Sequence, residues 1–490
     1  MNKHFIFICF FPMLLFIGYL LTLSYFSDFI ISYTFFSLIA IFSSFLLLTK
    51  LNSFSKPLLP IWLIFLYLFF FYQIKFYYLI IGVDDDVISK TIGGIFLPAF
   101  RDVNVLFSSF ITNALAFTVF CISSWIYISF FKYQKKIQIK KSDIILSYRN
   151  LKFIKRLLLL AVVLFILTSY IMYKTQMGVL GIEPLHMPFK IEGIIISIRN
   201  ILIPSIFSLS LWLSAKQSYS KYTKITIILF ALHSIVDTFL RGTKGSSIAN
   251  MIICVTLLML IARIEITFKN KILLLSMALI AILVFPLMRI YRGLRIEDAD
   301  MVFSKDILLK TFYNFKDIPL VELLVDALQS IFLRFAGSDM TIIFNYVNVQ
   351  PLLLSPHTTF NMLLFNKLGH FITYLLFGEW SSTTVILPGI VGWFYLLGGN
   401  IFVVFGFSLI PLVVLIFWQK LSNMNLYILP IVQLIFAGLL LNILSSGGIE
   451  QIIQLKFLAY PASTIFLETM SRKYLYIRVQ KYRKEINKYV

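Results

Sequence analysis

Basic side chains recur in this sequence where long apolar runs end or are interrupted. Arg289, Arg292 and Arg295 fall in the run MRIYRGLR, Arg241 and Lys244 flank a short Gly-Thr turn, and Arg199 and Arg334 stand in largely apolar surroundings. A guanidinium presents a planar fork of donors that matches two phosphate oxygens at once, and in a partly dry site such contacts are far stronger than at an open surface. Glycine beside arginine, as in Arg241-Gly242 and Arg292-Gly293, lets backbone amides approach the same oxygens. The ligand that suits several such cations near a membrane surface is a polyanion such as a lipid diphosphate. Other readings of the same residues stay open. Arg289, Arg292 and Arg295 could instead pair with Glu297, Asp298 and Asp300, whereas Glu192, the carboxylate nearest to Arg199 in sequence, lies outside its expected helix. Lys75 and Lys456 either face the interior or snorkel to lipid headgroups. A snorkelling Lys75 would be dispensable.

The elements that position these residues follow from composition. The chain has 490 residues, 59% of them hydrophobic and only 13% charged, with a mean hydropathy of +0.90. A soluble domain carries roughly twice that share of charge, so the bilayer is the solvent here. Apolar runs of the ~20 residues needed to cross a hydrocarbon core of ~30 Å recur along the whole sequence. They predict an all-α polytopic membrane protein with spans near 5–26, 28–49, 58–81, 105–131, 157–174, 194–215, 225–240, 246–262, 272–290, 399–418, 425–444 and 452–470. The run Phe5 to Leu23 shows no small-residue cleavage site and is read as the first helix rather than a signal peptide.

Sides are assigned by lysine and arginine. The connectors 50–57, 132–156, 216–224, 263–271 and 419–424, with the first residues and the tail from Ser471, hold 26 of the 43 basic residues but three of the 22 acidic ones. That places them, and both termini, in the cytoplasm. The net charge of +21 therefore reflects membrane topology and gives no reason to invoke nucleic acid. Residues 291–398 form a single large extracytoplasmic loop, and within it segments such as Leu320 to Phe344 have the spacing of helices lying on the membrane face or packed over the bundle. The stretch Arg241 to Ser246 lacks phosphate-loop spacing, and there is no GxGxxG. Cys9, Cys121 and Cys254 sit in apolar runs and form no CxxC, the five histidines are scattered, and neither a metal nor another cofactor is implied.

Four short features resemble the oligosaccharide repeat-unit polymerases of bacterial surface polysaccharide synthesis, the O-antigen polymerase (Wzy-type) family. They are the Arg-Gly turn followed by small residues (Arg241 to Ser247), the arginines opening the large loop (Arg289 to Arg295), Arg-x-x-Gly-x-Asp (Arg334, Gly337, Asp339), and a glycine-tyrosine segment leading into a late helix (Gly392, Tyr395, Gly398, Gly399). The glycine-rich part of that last segment could equally be a re-entrant turn. The resemblance implies a metal-independent glycosyltransferase of the bacterial cytoplasmic (inner) membrane, similar in architecture to the C-type membrane glycosyltransferases. Its substrate would be an undecaprenyl-diphosphate-linked oligosaccharide; a flippase and a chain-length regulator would be its partners. In that setting Arg241 and Arg292 would act catalytically on the leaving diphosphate, with Arg199, Lys244, Arg289, Arg295 and Arg334 binding it. The acceptor hydroxyl needs a base, for which the outer candidates are Glu322, Asp339, Glu379, His357 and His370. Asp339 is favoured because it follows Arg334 closely, although a helix-capping or salt-bridging role would place the same residue type there. A flippase for lipid-linked oligosaccharides and the related polysaccharide ligase are the alternatives to a polymerase.

Overall fold

A computed structural model describes residues 3–53, 58–81, 85, 94–130, 151–175, 191–241, 246–262, single positions between 268 and 294, 305–316, 318–319, 321–322, 325, 337–347, 389–424, 426–446 and 459–472. Every regular element among them is helical. In chain order they are α1 (Lys3–Thr22), α2 (Ile30–Asn52), α3 (Leu59–Leu68), α4 (Lys75–Ile81), α5 (Val103–Phe130), α6 (Leu151–Thr175), α7 (Ile191–Ser197), α8 (Ile203–Lys216), α9 (Ser220–Arg241), α10 (Ser246–Ala262), α11 (Lys305–Lys316), α12 (Ser338–Tyr346), α13 (Gly389–Asn423) and α14 (Leu429–Ser446), with a last helical stretch at 459–472.

Seven stretches among the described residues are long and apolar enough to cross a membrane: 8–52, 59–81, 103–130, 151–175, 193–216, 220–240 and 389–423. The chain is a polytopic membrane protein. Its side-chain distribution is inverted relative to a water-soluble helix. On α2 the residues Ile31, Phe35, Leu38, Phe42 and Phe45 recur at three- and four-residue spacing and are exposed, while Ser37, Ala40, Ser43 and Ser44 are buried. Large apolar groups on the outer face and small ones between helices are what lipid selects, because lipid tails provide no hydrophobic drive and close backbone approach must supply the packing. The stretch 8–52 has 45 residues, more than twice the length one crossing needs. It is broken at the 3₁₀ segment Leu23–Phe29, where Phe26 leaves helical dihedrals (φ −111°, ψ 35°). Tyr19 bonds Thr34 at 3.1 Å and Thr22 bonds Tyr33, an antiparallel register that makes α1 and α2 a hairpin.

The chain divides into two compact units, one of residues 1–134, 330–420 and 439–454, the other of 135–329, 421–438 and 455–490. In the first, α2 packs along α1 and α5, and α1 also meets α4. In the second, α8 packs on α6, α9 and α10. There Glu468 accepts from the Tyr427 and Ile428 amides ahead of α14, at 3.2 Å each, and from Arg472 at 2.7 Å, so this end of the tail is pinned rather than only flanking the membrane.

Two pieces of the expected outer loop lie inside the first unit rather than over it. The short helix α12 is buried from Ser338 to Phe344 and packs on α5, α4 and the 3₁₀ segment Gly94–Phe100. Residues 389–393 at the start of α13 are also buried. A break follows at Gly398 and Gly399, the latter at φ 65°, ψ −154°, a region that only glycine enters cheaply. The apolar stretch expected at 399–418 thus begins with this break, and the helical residues 389–397 precede it. By contrast α11 exposes Leu309, Phe312 and Tyr313, the pattern of an interfacial helix.

Because Ala40 is 4% exposed and faces helices, Ala40→Leu should lower stability by about 1–3 kcal/mol through overpacking. Phe42→Leu on the lipid face should change it by less than about 0.5 kcal/mol. Thermal unfolding of both variants in one detergent makes the comparison.

Candidate functional site

Leu59-Pro60 opens α3 with proline at its first turn, and the helix continues into a π turn, Phe69–Ile74, before α4 resumes at Lys75. The Lys75 amide bonds to the Phe70 carbonyl five residues back. A π turn inserts one residue and so rotates the following side chains by about 100° relative to an uninterrupted α-helix. In this setting Lys75 points inward and is fully buried. Its ammonium lies 2.7 Å from Asp339 Oδ1. The snorkelling reading of Lys75 is therefore corrected: in place of lipid headgroups, the ammonium meets a carboxylate brought in from 264 residues away.

Asp339 stands in the first turn of α12, where the helix dipole favours an anion. The Gly337 amide donates to the same Oδ1 at 3.0 Å. Glycine is required at 337 because a Cβ there would sit 2.1 Å from the Phe71 carbonyl oxygen, so the backbone ahead of α12 rests directly on the π turn. Asp339 thus accepts the amide of the N-cap residue Gly337 and forms the salt bridge to Lys75 through one oxygen. Its side chain remains 9% exposed.

A neutral polar layer extends from the ion pair. Thr341 bonds Asn113 Oδ1 at 3.1 Å, and Gln73 donates to the Asn113 carbonyl at 3.0 Å. Ser109 donates to the Thr341 carbonyl, as does Asn345 Nδ2 at 2.8 Å. Tyr72 OH accepts from the Val391 amide, which ties the π turn to the start of α13. Asn113 Nδ2 and Ser338 Oγ are buried and meet no partner among the described residues. Asn113 lies about 15 Å along α5 from Val103, well inside a helix of apolar composition. Polar groups at that depth face the interior and mark a site by default.

The second unit holds a separate polar cluster. A second π turn, Ile198–Leu202, carries Arg199, which is 1% exposed and pairs with Asp237 of α9. Arg199 also donates to Ser169 at 2.8 Å, and its guanidinium lies 5.7 Å from the Phe165 ring. His233, one turn before Asp237, is 3% exposed between Phe165 and Phe207, and its ring nitrogens meet no partner among the described residues.

Of the remaining residues singled out in the sequence, Arg241 ends α9 and Glu322 is exposed. Lys244, Arg289, Arg292, Arg295, Arg334, His357, His370, Glu379 and Lys456 lie outside the described residues. The structure brings together Asp339 with Lys75, and Arg199 with Asp237. Sequence reasoning named Lys75 without its partner, and missed Asp237 and the amides Asn113 and Asn345. A signal for them existed: each is a polar residue inside or beside an apolar run. Among the described residues no group of His, Cys, Asp and Glu is placed to hold a metal ion. Comparisons of the chain with protein-family models, curated proteins and solved structures gave no match.

Removing one partner of a buried pair strands the other charge. Lys75→Ala or Asp339→Ala should each cost about 3–5 kcal/mol, whereas Lys75→Met with Asp339→Leu should recover most of that loss. Gly337→Ala should also destabilise, through the carbonyl of Phe71. Detergent-solubilised unfolding midpoints for the two single variants and the double variant read this directly; singles that unfold like the wild type would show the pair to be energetically idle.

Proposed function

We propose that this chain is a membrane glycosyltransferase that polymerises lipid-diphosphate-linked oligosaccharide repeats at the outer face of the bacterial cytoplasmic membrane. The observation that supports the reading most is the setting of Asp339. The carboxylate of the Arg334-Gly337-Asp339 stretch is held by Lys75, by the Gly337 amide and by a helix N-terminus inside an apolar unit, with part of its side chain still accessible. A carboxylate carried to that depth at the cost of burying a lysine is placed there for more than packing, since an apolar pair of the same volume would be no less stable.

In this reading the hydroxyl of the incoming lipid-linked repeat attacks the anomeric carbon of the growing chain. The bond from that carbon to the phosphate oxygen breaks, and the hydroxyl proton passes to Asp339. Oδ1 already accepts two donors, which leaves Oδ2 as the oxygen that takes the proton. The lipid diphosphate departs with the bonding electrons, and countering its growing charge is the role that the resemblance implies for Arg241 and Arg292. Arg199 is assigned a role within its own unit instead, because Asp237 balances its charge and a neutral pair exerts little pull on a polyanion.

Two buried cation–carboxylate pairs would also suit a flippase, whose substrate path needs charge inside the membrane. Deleting the gene and profiling surface polysaccharide on gels separates the readings. A polymerase leaves single repeats at the cell surface, and restoring the wild type, but not Asp339→Asn or Arg292→Ala, should return the ladder. Loss of even single repeats from the outer face favours the flippase. A ladder that survives deletion, or that Asp339→Asn supports at the normal rate, rules out the assignment made here.

A further inference from the structure

The geometry points to a saccharide-binding site in the first unit, formed by Ser108, Asn345, Tyr395 and Asn400, that takes a neutral, hydroxyl-rich sugar of the acceptor chain. This deepens the polymerase reading and rests on it for the word acceptor; the site itself rests on the following contacts.

Asn345 lies at the far end of α12 from Asp339, about 9 Å along the helix. Its side chain is fixed, since Nδ2 donates to the Thr341 carbonyl at 2.8 Å. Its carbonyl oxygen accepts from two hydroxyls, Ser108 Oγ at 2.7 Å and Tyr395 OH at 3.0 Å. Each hydroxyl has one proton and spends it on this bond, so each turns its remaining lone pairs away from Asn345, ready to accept from a ligand. One turn along α5, Thr112 donates to Asn400 Oδ1 at 2.8 Å, which holds that amide by its oxygen and leaves its NH2 as the donor. The set therefore offers pre-oriented acceptors on Ser108 and Tyr395, a donor on Asn400, and the face of the Tyr395 ring.

All four residues are half-buried. In a unit whose outer faces are apolar, half-exposed amides and hydroxyls are not satisfied by lipid tails and must look toward water or a polar ligand. No charged side chain takes part in these bonds. That distinguishes the site from a phosphate or carboxylate pocket and fits sugar hydroxyls, which donate and accept at once. The break at Gly398 and Gly399 lies between Tyr395 and Asn400, and the two neighbouring stretches of α13 it separates present Tyr395 to Asn345 of α12 and Asn400 to Thr112 of α5.

The test uses the full chain in lipid nanodiscs and, as probe, free oligosaccharides cut from the source cell's own surface polysaccharide, with binding read by saturation-transfer NMR. Tyr395→Phe, which keeps the ring and removes the acceptor oxygen, and Asn345→Ala, which removes the shared carbonyl, should each weaken binding about tenfold, while Phe42→Leu on the lipid face binds as the wild type does. In the polymerisation assay Tyr395→Phe should raise KM for the acceptor repeat more than it lowers kcat. Should Asn345→Ala fail to fold, Tyr395→Phe at a half-exposed position carries the test alone. Wild-type protein that binds none of the oligosaccharides, or a folded Tyr395→Phe that binds them unchanged, overturns the site. Binding that depends on Tyr395 in a protein whose deletion leaves the ladder intact sustains the site and removes the polymerase reading instead.

Discussion

An ammonium and a carboxylate can be taken out of water only together, and much of the first unit's interior is arranged to keep Lys75 and Asp339 together. Either charge alone at that depth would cost several kcal/mol, so the elements that carry them cannot move apart independently. The π turn of Phe69–Ile74 orients the lysine, α12 supplies the aspartate at its N-terminus, and Gly337 allows the two backbones to touch. A strong electrostatic requirement is thereby converted into a steric one, since the permitted approach at Gly337 leaves no room even for a methyl group.

Polar bonding beyond the pair has the same character. Asn113, Thr341, Asn345, Ser108 and Ser109 link α5 to α12 through side-chain and carbonyl contacts rather than through apolar interlocking. Within lipid this is an effective way to place a short helix, because there is no hydrophobic force to press it between its neighbours. The helix so placed presents a carboxylate at one end and a neutral amide at the other. The proposed sugar transfer would use that division: charge where a proton moves, and uncharged hydrogen bonding where hydroxyls are recognised.

The second unit repeats the device with different residues. Arg199 sits inside a π turn where Lys75 directly follows one; it too is fully enclosed and meets a carboxylate, Asp237, here with the Ser169 hydroxyl as a further acceptor. The planar fork of arginine in this position engages α6 and α9 at once, through Ser169 and Asp237. His233 beside it is enclosed by Phe165 and Phe207, and its ring nitrogens meet no hydrogen-bond partner among the described residues.

Composition by itself determined that the chain lives in a bilayer and that its crossing segments are helical, because every backbone polar group inside lipid must be satisfied within its own segment and helix follows from apolar length alone. The motif around Asp339 was likewise legible in order. What the linear order could not convey was depth and partnership. Residues 338–346 are too short and too polar to register as a span, so they read as part of a helix lying on the membrane face or over the bundle until α4 and α5 are seen to pack on them. Lys75 read as an even choice between lipid and interior, because the rotation imposed by a π turn leaves no trace in hydropathy. Asp339 and Asp237 became partners of Lys75 and Arg199 only through contacts spanning 264 and 38 residues, and such pairing is decided by how helices pack, not by how far apart residues stand in the chain.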